Sequence, residues 1–217
     1  MSPELAVTDF LDHDHPDIRE FVARKATGES TLDKAVALYK AVRDGVHYEV
    51  YGADLSREGL RASTVLRRKS GMCIHKSVLY ASALRAIGVP SRLVFTDVRN
   101  HLASPQLTAL IGGDVFTYHC LVSVQLNGKW VKATPVFNRL LCKLYKIAPL
   151  EFDGTQDSLH HPFDNAGRRH MEFVHVHGEF ADLPYEQLLS GLRAAHPGIF
   201  ATEHTFTTGS LVADATR

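Results

Sequence analysis

Apolar positions recur at helical spacing through the first half of the chain and alternate through much of the second. The first helical stretch runs from Asp17 to Ala26, opened by His15-Pro16 and stopped by Thr27-Gly28. A second, capped by Ser30 or Thr31, carries Ala35, Leu38, Tyr39, Val42 and Val46 on one face. Tyr48 to Tyr51 reads as a short extended link, and Ser63 as the cap of a brief turn through Val65 and Leu66. Ser70-Gly71 breaks the pattern. From Met72 to Ile87 a long helix follows, with Cys73, Ser77, Tyr80, Leu84 and Ile87 on one stripe, Gly88 just past its end and Pro90 beyond. Ser91 to Val98 reads as a strand. Phe116 to Leu126 and Lys129 to Phe137 are two more, joined by Asn127-Gly128, a strong hairpin signal. Arg139 to Ile147 is a short helix, Asp153 to Arg169 a loop, Glu172 to His177 a further strand and Pro184 to Ala195 a closing helix. Helices followed by strands predict an α+β fold with an antiparallel sheet.

Size and charge narrow the classes. A chain of 217 residues is long enough for one domain with a substantial core, taken as residues 1–203. Residues 204–217 lack periodicity and are expected to be a frayed tail. Lys plus Arg number 24 and Asp plus Glu 24, so no basic excess favours nucleic acid as a partner. No apolar run reaches roughly 18 residues, which argues against a membrane span. The opening residues lack a basic then apolar leader, and the 3 cysteines read as free thiols, so a cytoplasmic location is expected.

Cysteine and histidine hold the candidate chemistry. Cys73 falls in the first turn of its helix, where N–H groups and the helix dipole favour a thiolate; Arg67, Arg68 and Lys69 lie just upstream and push the same way. A single cysteine is otherwise usually a small buried hydrophobe. Cys120 belongs to the apolar alternation Phe116, Tyr118, Cys120, Val122, Val124, Leu126 and reads as packing, as does Cys142 between Leu141 and Leu144. His119 points to the opposite face of that strand, and taken alone reads as a strand histidine with no task. With a two-residue turn at Asn127-Gly128, the hairpin register pairs Leu126 with Lys129, Val124 with Val131 and Val122 with Ala133. On the other face Leu121 meets Thr134 and His119 meets Val136, leaving Thr134 and Asn138 as diagonal neighbours of His119, provided Pro135 introduces no bulge.

These segments resemble the transglutaminase-like superfamily of papain-related cysteine enzymes, in its bacterial single-domain form. Ser70-Gly71-Met72-Cys73 opening a helix, followed by Arg85-Ala86-Ile87-Gly88-Val89-Pro90-Ser91-Arg92, is similar to the family's cysteine helix and the strand after it. Tyr118-His119 followed by Asn127-Gly128-Lys129-Trp130 is similar to its histidine strand and tryptophan return strand, and Val42 to Tyr48 resembles the helix end before the nucleophile. The likeness is strongest over residues 35–137. It implies Cys73 as nucleophile and His119 as general base and acid. Where the family carries an Asp before proline, this chain has Thr134-Pro135. Thr134 is the aligned third member, and Asn138 its rival by analogy with an asparagine-containing triad.

The resemblance therefore implies acyl transfer through an acyl-enzyme, most readily hydrolysis of an amide or peptide bond, with a peptide, protein or small amide or thioester as substrate and no cofactor. An amine-accepting acyltransferase and a non-catalytic peptide-binding or partner-binding module are the alternatives. The 13 histidines are the remaining oddity. His13 with His15, His160 with His161, and His170 with His175 and His177 suggest a metal, but no cysteine pair or His-Glu-x-x-His helix accompanies them, so no metal site is expected.

Overall fold

The computed structural model describes residues 2–101, 103–159, 165–167 and 171–215. Three helices precede the sheet's helix partner: α1 (Pro16–Lys25), α2 (Thr31–Gly45) and α3 (Ala62–Arg68). The side chain of His15 accepts the Asp17 N–H at the start of α1, beside a proline suited to that position. Ser30 and Asp33 form a reciprocal capping box on α2. The cap of α3 is Arg61, not Ser63; the Ser63 hydroxyl instead donates to Asp12 at 2.5 Å. Between α2 and α3 lies β1 (His47–Tyr48), which pairs in parallel with β2 (Ser70–Gly71).

The centre of the molecule is α4 (Cys73–Ala86). Sequence periodicity predicts one buried stripe, yet every residue from Cys73 to Arg85 is buried. Helices cover one side of α4 and the sheet the other, so its polar side chains must find partners inside. The Lys76 ammonium donates to the carbonyls of Arg43 and Val46 at the C-terminal end of α2, at 2.8 and 2.5 Å. Arg85 donates to the carbonyls of Ala6 and Ser91 at 2.7 and 2.9 Å, and also to that of Ala181.

Beyond α4 come β3 (Ser91–Asn100), α5 (Pro105–Ile111), β4 (Val115–Leu126), β5 (Lys129–Ala133), α6 (Arg139–Leu144), β6 (Met171–Phe180), α7 (Tyr185–Ala195) and α8 (Leu211–Ala215). The four longer strands form an antiparallel sheet in the order β5-β4-β3-β6. The hairpin register matches the sequence reading from Leu126–Lys129 to Val122–Ala133. There β5 stops, short of the expected Phe137. The Thr134 N–H turns away to the Ser158 carbonyl at 3.0 Å, and Pro135 has no N–H to give. The pairs Leu121–Thr134 and His119–Val136 are accordingly absent from the hairpin ladder.

Two further segments depart from expectation. Helix α5 is too short for a visible period; the Ser104 hydroxyl caps it by accepting the Leu107 N–H at 3.1 Å. The expected frayed tail is docked over its described residues. Phe206 and Leu211 are 3% and 4% exposed, the Phe206 N–H bonds the Ala53 carbonyl, and α8 closes against α6. Among the described residues no helix is long and apolar enough to cross a membrane.

Candidate active site

The thiol of Cys73 owes its place to backbone geometry. A Cβ on Gly71 would lie 2.6 Å from that of His75, so the chain entering α4 folds back closely enough to require glycine. His75 is fixed in turn by its Nε2–H, which donates to the Asp54 carbonyl at 2.9 Å. Met72, the residue before α4, provides no side-chain cap. The N–H groups of Ile74 and Cys73 itself, with that of Cys120 across the interface, act on the sulfur.

These N–H groups do not make a resting thiolate. Cys73 is only 3% exposed, and burial pushes its pKa up to about 11 against the opposing pull of the three N–H groups. The expected help from the upstream cations is absent too. Arg68 pairs with Asp54 at 2.8 Å, and Arg67 with Asp17 at 3.1 Å. The resting sulfur is therefore a neutral thiol. Cys120 and Cys142 are also buried free thiols, raised by the same desolvation.

His119 is presented by a fault in the sheet. Between the pairs Thr96–His119 and Val98–Phe116, β4 spends one more residue than β3, forming a bulge at Thr117 and Tyr118. Tyr118 has φ +59°, a left-handed conformation costly for a bulky residue. The bulge takes two backbone N–H groups off the regular ladder, and side chains collect both. Thr117 donates to His196 Nε2 at 3.0 Å, while the His196 Nδ1–H donates to the Ile111 carbonyl at 2.9 Å. Tyr118 donates to Asp97 Oδ1 at 3.1 Å. The same carboxylate oxygen holds His177 Nε2 at 2.6 Å, and the His177 ring stacks on Tyr118 with centroids 4.1 Å apart. The Tyr118 ring also presses on Gly191 of α7, where any Cβ would come within 2.1 Å of it.

The alternation read from the sequence therefore breaks at the bulge: Phe116, Thr117, Tyr118 and His119 all border one cavity. That cavity also has Cys73 in its wall, so both predicted site residues border the same space. Arg92 and Trp130, distant members of the same motif set, stack with the guanidinium 4.3 Å from the ring centre.

Thr134 lines a second, smaller cavity with His119, so the predicted neighbourhood exists without the extended ladder. Its hydroxyl is buried and has no hydrogen-bond partner among the described residues. Asn138, the rival, spends its side-chain oxygen on the Tyr48 N–H at 3.1 Å. The Thr134 hydroxyl therefore does not hold the imidazole, and the Asn138 oxygen is committed to Tyr48. The sequence marks Tyr118 only as the neighbour of His119 and His177 only as a candidate metal ligand, and it passes over Asp97; the available signal was an acid inside the mostly apolar run Leu93 to Val98, where strands disfavour Asp.

The remaining histidines divide. His15 caps α1, and His175 meets His177 edge-on at 4.8 Å. His160, His161 and His170 lie outside the described residues. Among the described residues, no three His, Cys, Asp or Glu side chains are grouped as a metal site would require.

Comparison with known proteins gives the following. The family model of the transglutaminase-like superfamily matches residues 19–135. No curated protein matches the chain. Among solved structures, a candidate cysteine protease from Cytophaga hutchinsonii is 14% identical, with a TM-score of 0.45, the match covering 61% of this chain and 40% of that one. A candidate protease from Parabacteroides distasonis is 16% identical, with a TM-score of 0.38, covering 54% of this chain and 22% of that one. The matched part is thus less than half the length of either protein.

Proposed function

Because this chain belongs to the transglutaminase-like superfamily, we propose that it is a cysteine-dependent acyl-transfer enzyme, and specifically an amide or peptide hydrolase. The observation that carries this reading is the shared cavity. One wall holds a cysteine at an uncapped helix start, and another the histidine set by the β4 bulge.

The neutral resting thiol dictates the order of proton transfer. With Cys73 raised to about 11, a preformed ion pair is not the starting point. His119 takes the thiol proton as the sulfur attacks the carbonyl carbon, then returns it to the departing amine as the carbon–nitrogen bond breaks. The backbone N–H of Cys73 contributes to stabilising the developing oxyanion. Water then adds to the thioester, releasing the acid and restoring the thiol. The substrate is a peptide, protein or small amide or thioester. An amine in place of water is the second reading, favoured by the largely apolar walls of the cavity, which disfavour water.

Acylation is checked with p-nitrophenyl esters as activated substrates, followed by intact mass and p-nitrophenolate release. Cys73→Ser is expected to abolish the covalent adduct, and His119→Gln to slow its formation by about 100-fold or more. Unchanged release from folded Cys73→Ser protein would overturn the reading. Added hydroxylamine separates the acceptors: hydroxamate accumulating in preference to acid favours the amine.

A further inference from the structure

We propose that the acyl side of the substrate is an uncharged apolar chain of about four to six heavy atoms, seated in the cavity beside Cys73. This rests on the proposed Cys73 chemistry and names the substrate class for it. The cavity has a volume of about 60 Å³. At roughly 10–15 Å³ per water on this measure, it takes four to six water-sized groups. Its apolar walls include Val98 of β3, Leu107 of α5, Phe116 of β4, Leu141 of α6, Met171 of β6 and Leu211 of α8. Polar groups also border it, Asn100, Ser104 and Thr117 among them. Among the described residues around it there is no Asp, Glu, Lys or Arg.

The chemistry of such a wall selects its occupant. An acyl chain lying here exchanges water for aliphatic and aromatic surface, and each buried methylene adds to the driving force. A chain ending in a carboxylate would have to leave water with no Lys or Arg in the walls to meet it, which is costly. A short acetyl group reaches the sulfur but leaves the cavity empty. A hexanoyl or similar branched or aromatic acyl group fills it.

The test uses the full chain with p-nitrophenyl acetate, butyrate and hexanoate, and with mono-p-nitrophenyl glutarate as a charged chain. Each rate is divided by that of N-acetylcysteine with the same ester to remove intrinsic reactivity. In each case the sulfur–acyl bond forms as the ester carbon–oxygen bond breaks. The thiol proton leaves on p-nitrophenol, and water later returns the free thiol and the acid. The normalised kcat/KM is expected to rise at least tenfold from acetate to hexanoate, with glutarate at or below acetate. Leu107→Trp, which fills the cavity from α5, is expected to cut the hexanoate-to-acetate ratio at least fivefold.

The outcomes are distinguishable. Equal acetate and hexanoate rates with adducts still on Cys73 overturn the apolar subsite and leave the nucleophile standing. Glutarate as fast as hexanoate does the same, as does an unchanged ratio in folded Leu107→Trp. Absence of a Cys73 adduct from every ester overturns both the subsite and the acyl-transfer reading beneath it.

Discussion

Among single residues, Asp97 has the largest leverage on the site. One of its oxygens accepts from both the strained Tyr118 backbone and the His177 ring, so it supports the bulge that immediately precedes His119. Replacing it by alanine leaves a part-buried N–H without its acceptor and releases a residue at φ +59° from the contact that holds it. The stability loss is expected at about 1–3 kcal/mol. Activity is expected to fall further than stability alone explains, by about 10- to 100-fold, because small displacements of a catalytic group are amplified in the rate. Asp97→Asn keeps an acceptor oxygen and is expected to recover most of that activity. Ester acylation rates, read beside thermal melts, check this; equal losses for alanine and asparagine would show that the side-chain oxygen does not position His119.

At the scale of elements, the docking of α8 is expected to limit access to Cys73. Leu211 lines the cavity from α8. The Leu211 N–H donates to Glu49 at 3.0 Å, and Asp214 accepts from the Tyr51 and Ser104 hydroxyls at 2.9 and 3.0 Å. Asp214→Ala removes two of these ties from a helix too short to be stable alone. Iodoacetamide labelling of Cys73 is expected to speed up by about fivefold or more, with little change in the melt. Labelling at the wild-type rate would show that another element limits access. The same contacts explain why the order of the tail leaves no local signal in the sequence. Phe206 and Leu211 follow no local period; their backbone N–H groups are held by Ala53 and Glu49, more than a hundred residues away. The hairpin was legible because its turn and alternation are local, and α4 because its length and stop signals are local. Full burial of α4, the end of β5 at Ser158, the short α5 and the bulge all depend on distant partners. Cys73 and His119 were therefore readable as candidates, while the Asp97 support was not.

On the scale of the whole molecule, α4 is held by buried polar side chains that each tie a different segment to the core. His75 ties the loop at Asp54, Lys76 the end of α2, and Arg85 the N-terminal segment and the start of β3. His75 makes this arrangement sensitive to acid. It is 2% exposed, and burial lowers its pKa from 6.5 to about 4, so it is neutral in the folded protein near neutral pH. Between those values the unfolded chain binds a proton that the folded chain refuses. Stability is thus fully present above about pH 6.5, falls as the pH drops toward 4, and has lost this contribution below that. Between pH 7 and pH 4.5 the loss from His75 is roughly 2–3 kcal/mol. His13 is lowered by burial and acts in the same direction, whereas Glu49 is raised by burial and acts in the opposite one. The comparison that isolates His75 is therefore His75→Gln, whose amide can still donate to the Asp54 carbonyl but does not titrate. Urea unfolding at pH 7 and pH 4.5 is expected to show a wild-type decline steeper than that of the variant by about 2 kcal/mol. Parallel declines would mean that His75 accepts its proton without unfolding, through a local opening of the Asp54 loop that also loosens the entry to α4 and the Cys73 thiol.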